Sequence, residues 1–146
     1  MLFLHSRGWC DGTGGNFSVC LQHDPLQLLM APSGVDKGSV QAEELIIVDA
    51  NGAVTEGNGR ASAETELHLC IMSSVGAGAV LHTHSVAATV LSRVHGCDGF
   101  VQLEGWEMLK GLNGIKSHET TLALPVVANN QNMKQLSASV KPHLHG

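Results

Sequence analysis

Residues 62 to 85 constrain most strongly what this chain can become. Ser62 is a natural helix N-cap, Glu64 and Glu66 suit a first turn, and Leu67, Ile71 and Val75 recur at four-residue spacing with Cys70 flanking them. The spacing predicts a helix from Ala63 to about Val75. Directly after it, Gly76-Ala77-Gly78-Ala79-Val80-Leu81 leads into His82-Thr83-His84, which reads as a strand over Ala79 to Thr83. A helix feeding a strand points to a layered α/β domain. Side chains alternate along a strand, so His82 and His84 share a face and both imidazoles can approach one metal ion. Taken alone, the pair is equally well two strand-end histidines held by ordinary hydrogen bonds.

The flanking sequence supports a sheet. Gly12-Thr13-Gly14-Gly15-Asn16-Phe17-Ser18-Val19 is a glycine-rich turn entering a strand, and Leu26 to Ala31 is a second strand running into Pro32-Ser33-Gly34. Leu45 to Val48 is a third, and Asn51-Gly52 is a hairpin turn before Ala53-Val54. Further on, Ala87 to Val94 and Glu104 to Leu112 have helical character. Leu122 to Val127 reads as a strand that Pro125 restricts to an edge or an end. The pattern predicts one α/β domain over residues 1–146, with a mixed or antiparallel sheet and no repeat or linker.

Composition removes several classes of function. A net charge of −5, with eight Lys and Arg and no basic block, argues against nucleic acid or an anionic membrane as the main partner. No apolar run reaches the ~20 residues that span a bilayer, and Met1 to Arg7 lacks the features of a signal peptide. Cys10, Cys20, Cys70 and Cys97 show no C-x-x-C spacing and fit reduced thiols in a cytoplasmic protein. Nine histidines against no tyrosine favour a metal or acid-base site.

Three segments suit an anion: Gly14-Gly15-Asn16, Ser33-Gly34 followed by Lys37, and Ser62 at the predicted helix start. Glycines let backbone N–H groups approach a ligand, hydroxyls and amides add donors, and a helix dipole favours negative charge. Each also has an ordinary structural reading as a turn or cap. Two carboxylates are candidates for proton transfer, Glu64 and Glu107, against the alternatives of dipole complementation for Glu64 and an ion pair with Lys110 for Glu107.

Taken in order, the segments Gly12 to Ser18, Ala31 to Lys37, Ser62 to Thr65, Val80 to Ser85 and Leu103 to Gly111 resemble the class II aldolase/adducin family, from about Arg7 to Asn130. The resemblance implies a three-layer α/β/α fold, a zinc ion bound by three histidines, and a homotetramer with active sites between subunits. By position, His82 and His84 match two zinc ligands. Asn16, Ser33, Gly34 and Ser62 match the phosphate pocket, and Gly15 supports its turn. The acid-base glutamate of the family's sugar-phosphate aldolases matches Glu64. That of its dehydratases falls in the Glu-Met-Leu-Lys-Gly segment and points to Glu107.

The implied activity is zinc-assisted dehydration of a phosphorylated sugar. The alternatives are aldolase or epimerase action on a fuculose or ribulose phosphate, with Glu64 as the acid-base group, and a non-enzymatic adducin-like module. The family's third histidine lies in a Gly-His-Gly-Leu-Tyr type segment that this sequence lacks. Pro142-His143-Leu144-His145-Gly146 resembles the lead-in to it. The third ligand is therefore expected beyond Gly146, the domain is expected to be incomplete at its C-terminus and at its N-terminus, and substitution by His143 or His145 is the alternative.

Overall fold

The alternating segments of the first third form an antiparallel sheet. In the computed structural model, which describes residues 1–144, β1 (Asn16–His23), β2 (Leu26–Met30), β3 (Ile46–Asp49), β4 (Val54–Glu56) and β5 (Ala79–His82) lie in the order β4-β3-β2-β1-β5. Every pairing is antiparallel, which resolves the sheet as antiparallel rather than mixed. The β3–β4 turn is held by Asp49, whose Oδ1 accepts from the backbone N–H groups of Asn51 and Ala53, each at 2.9 Å. Those backbone bonds, that of Ala53 foremost, hold the Asp49 carboxyl below its ordinary pKa.

Register decides which side chains share a face. Ser18 pairs with Met30 and Val80, Cys20 with Leu28, and Leu28 and Met30 with Val48 and Ile46. These positions form the inner face, and α2 (Thr65–Val75) packs across it to build a core of Leu28, Met30, Ile46, Val48, Leu69 and Met72. Full burial of each such side chain stabilises the fold by roughly 1.5–3 kcal/mol. On the outer face, Val19, Leu21 and Leu81 remain exposed.

The helix differs from its expected form in two ways. Glu64 occupies the N-cap position, two residues past Ser62, whose Oγ accepts from the Glu64 N–H at 3.3 Å. The buried stripe is Thr65, His68, Leu69 and Met72, while Leu67, Ile71 and Val75 are half-buried. The sheet below offers Ser18 as a hydrogen-bond partner, and that lets a histidine occupy a core position. Helix α1 (Leu2–Ser6) and α4 (Met133–Val140) complete this compact unit, residues 1–86 with 129–144, and α4 packs on α2. Asn132 caps α4 by accepting from the N–H groups of Lys134 and Gln135.

Residues 87–128 form a second compact unit. It follows the start of α3 (Val86–Val94) and contains a two-stranded antiparallel sheet of β6 (Phe100–Leu103) and β7 (Leu122–Pro125), with Pro125 the final residue of its strand. The helix expected over Glu104 to Leu112 is instead a 3-10 turn, Glu107–Gly111. Gly105 at φ +72° and the extended Trp106 keep the chain out of α-geometry until Glu107. Among the described residues, no helix is long and apolar enough to cross a membrane.

Candidate active site

The three anion-suited segments meet at one end of the sheet. A cavity of about 320 Å³ is lined by Gly15, Asn16, Ser33, Gly34, Ser62 and Glu64, with Lys37 and His84 also on its wall. Gly15 is required twice over: its φ is +76°, and a Cβ there would stand 2.7 Å from the His82 carbonyl oxygen. Gly34, at φ +81°, has open space where a Cβ would project. Asn16 is buried and accepts from the Phe17 N–H through Oδ1, while its Nδ2 has no hydrogen-bond partner. A buried amide donor left unpaired is costly unless a ligand takes it, so this atom suits a phosphate oxygen.

Asn16 and His82 are direct partners across β1 and β5, so they share the inner face. The imidazoles of His82 and His84 stack, with centroids 4.8 Å apart and planes 22° apart. The two-residue spacing thus brings both rings together as expected. Glu64 joins them, with Oε2 2.9 Å from His82 Nδ1. That approach lacks the alignment of a hydrogen bond and leaves the buried nitrogen unbonded. Paired imidazoles with a free nitrogen beside a carboxylate fit a borderline metal such as zinc.

Among the described residues no group of three His, Cys, Asp or Glu is arranged to hold a metal ion. His143 is exposed in the 3-10 turn Lys141–His143 and does not complete the set, while His145 lies outside the described residues. The four cysteines are free thiols, and burial raises the pKa of Cys10.

Behind the pair lies a residue that sequence reasoning missed. His68 is fully buried, with Nδ1 2.6 Å from Ser18 Oγ and Nε2 unpartnered. Burial first, and the nearby His82 second, push its pKa down to about 4. A sequence signal existed in the Thr65, His68, Leu69, Met72 pattern, at i, i+3, i+4 and i+7.

Glu107 belongs to the second unit, in its 3-10 turn. Its Oε1 forms an ion pair with Lys110 Nζ, and Oε2 lies 3.6 Å from His118 Nδ1. The ion pair considered for Glu107 from sequence is therefore present, in a 3-10 turn rather than an α-helix.

The α/β unit with its antiparallel sheet has the fold of the class II aldolases. The chain matches the Class II Aldolase and Adducin N-terminal domain family over residues 1–146 and belongs to that family. It is 42% identical over 140 residues to a methylthioribulose-1-phosphate dehydratase from Sorangium cellulosum, covering 94% of this chain and 65% of that protein. A dehydratase of the same name from Acidiphilium cryptum is 41% identical, with 95% of this chain and 65% of the relative covered. The chain thus spans about 65% of the length of these relatives.

Among solved structures, L-fuculose-1-phosphate aldolase from Thermus thermophilus superposes with a TM-score of 0.67 at 26% identity, over 97% of this chain and 66% of that one. YgbL from Escherichia coli gives 0.78 at 25% identity, over 96% and 64%.

Proposed function

We propose that this chain carries the phosphate pocket and two metal ligands of an enzyme that dehydrates 5-methylthioribulose 1-phosphate to 2,3-diketo-5-methylthiopentyl 1-phosphate in methionine salvage. The observation that carries this reading is that Asn16, Ser33, Gly34 and Ser62 line one cavity of about 320 Å³ together with Glu64 and His84. The dehydratases similar to most of the chain support the choice of substrate.

In this reading the unpaired Asn16 amide and the hydroxyls of Ser33 and Ser62 donate to the phosphate and fix the sugar carbons. A zinc ion held by His82 and His84, with a third ligand from outside the described residues, would draw electron density from the C2 carbonyl and make the C3 proton more acidic. Glu107 takes that proton. The C3–C4 double bond forms as the C4–O bond breaks, the hydroxyl leaves as water after protonation, and the C3 enol then tautomerises to the diketone. Free thiols and the lack of a spanning helix among the described residues are consistent with a cytoplasmic setting. The exposed apolar side chains of Val19, Leu21 and Leu81 on the outer sheet face are consistent with a homotetramer.

A second reading rests on the Glu64–His82 contact, which sets a carboxylate against the histidine pair. Glu64 would then be the acid-base group of an aldolase or epimerase, and an L-fuculose-1-phosphate aldolase is among the structures with this fold. The test is product analysis with the protein. Diketone from methylthioribulose 1-phosphate supports dehydration, and aldehyde released from fuculose or ribulose phosphate, with no diketone, supports the second reading. Absence of both products would point to a non-enzymatic adducin-like module.

A further inference from the structure

Lys37 is the only Lys or Arg among the described residues that line the cavity. It is also one of the most buried side chains in the fold, at 2% exposure. Its Nζ donates to the carbonyl oxygen of Val35 at 2.9 Å and to that of Thr13 at 3.3 Å, and its backbone N–H donates to Gly12 at 3.0 Å. The residue therefore ties the Gly12–Asn16 turn to the Ser33–Lys37 loop, the two glycine-containing walls of the pocket. Two of the three ammonium donors are accounted for by those carbonyls.

Burying a cation is costly without a compensating charge. Burial is the largest influence and lowers the ammonium pKa, against the support of the Asp36 and Glu64 carboxylates. Glu64 lines the same cavity, and the chain as a whole carries −5, so a dianion entering the pocket would meet a repulsive field unless a cation stood in the wall. We propose that Lys37 is an anion-binding residue of this pocket: it holds the two loops at a fixed separation and supplies the positive charge and third N–H donor that favour a phosphate dianion over a monoanion. This rests on reading the cavity as a phosphate pocket.

Methyl phosphate and methyl sulfate test the idea, because they have the same shape and differ by one charge at mildly alkaline pH. The 146-residue chain should bind methyl phosphate more tightly. Lys37→Gln keeps an N–H donor but removes the charge, so it should weaken methyl phosphate on the order of ten-fold while changing methyl sulfate much less. Lys37→Arg should retain the preference. Equal losses for both esters, or no loss, would overturn the assignment and leave Lys37 as a loop tie alone. Should Lys37→Gln not fold, the 15N resonance of the Lys37 ammonium in the unmodified chain gives the answer: it must shift as methyl phosphate saturates, and an unmoved resonance overturns the proposal. Failure of the unmodified chain to bind either ester would instead reject the phosphate-pocket reading itself.

Discussion

Glu64 and Glu107 both stand at the start of a helical turn beside a basic partner, yet their surroundings differ. The Glu64 side chain is 33% exposed, and the His82 ring it touches is fixed by the sheet pairing of β1 and β5. The Glu107 side chain is 67% exposed, and its partners Lys110 and His118 are themselves on the surface of the second unit. A carboxylate suited to proton transfer at neutral pH usually needs removal from water. The fold of this chain partly provides that for Glu64. For Glu107 it would have to come from substrate, or from a neighbouring subunit of the proposed tetramer. Local geometry therefore favours Glu64, while the family resemblance read in the sequence points to Glu107.

The sharpest way to break that tie is a pair of isosteric changes tested in the proposed dehydratase reaction. Glu107→Gln should reduce diketone formation on the order of 10² or more with zinc still bound, and Glu64→Gln should cost less. His82→Ala, by contrast, should lose zinc as well as turnover. A larger loss from Glu64→Gln, with zinc retained in both variants, would reverse the roles.

Residues on the Glu64 side of the comparison were mostly legible from sequence. Alternation and the Asn51-Gly52 turn located β1 to β5, because strand periodicity is a local property. The rings of His82 and His84 do meet, although β5 ends at His82 and His84 is held beyond it by its N–H bond to the Trp9 carbonyl. What escaped depended on partners distant in sequence. His68 is tolerated in the core because Ser18, fifty residues away, accepts or donates the bond at 2.6 Å. Lys37 is buried because Thr13 and Val35 provide carbonyls. Helix α4 went unread because its eight residues carry only three large apolar side chains, Met133, Leu136 and Val140, whose helical spacing is too short a run to stand out without the Asn132 cap and α2. On the Glu107 side, β6 escaped because it takes its definition from pairing with β7, about twenty residues on, and the Glu107 turn reads as an α-helix because 3-10 and α turns share composition.

Acid should act on the Glu64 side through His68, whose backbone N–H bonds the Glu64 carbonyl at 3.2 Å. The folded pKa of about 4 lies below the ordinary imidazole value of 6.5, so above 6.5 both states are neutral and the group contributes no pH dependence. As pH falls from 6.5 toward 4, the unfolded chain takes up a proton that the folded chain refuses, and stability drops by up to about 3 kcal/mol. Denaturant melts of the 146-residue chain at several pH values should show this slope, and His68→Gln, which keeps a hydrogen bond to Ser18 without titrating in this range, should flatten it. An identical slope in both proteins would mean that other groups control the acid limit.

The smallest effect is expected on the Glu107 side. Lys110 and Glu107 are 43% and 67% exposed at their side chains, so water and salt screen their attraction and the pair contributes at most about 1 kcal/mol to stability. Lys110→Met should therefore melt within that margin of the parent. The same contact also holds one oxygen of the carboxylate proposed to take the C3 proton, and losing it would let Glu107 sample orientations that do not reach the substrate. Turnover should then fall by several-fold while KM changes little, because positioning a base acts on the chemical step more than on phosphate binding. A Lys110→Met enzyme with full turnover would show that the ion pair is a surface feature without a role in placing Glu107. A drop in turnover matched by a several-kcal/mol loss of stability would show that the 3-10 turn itself depends on the pair.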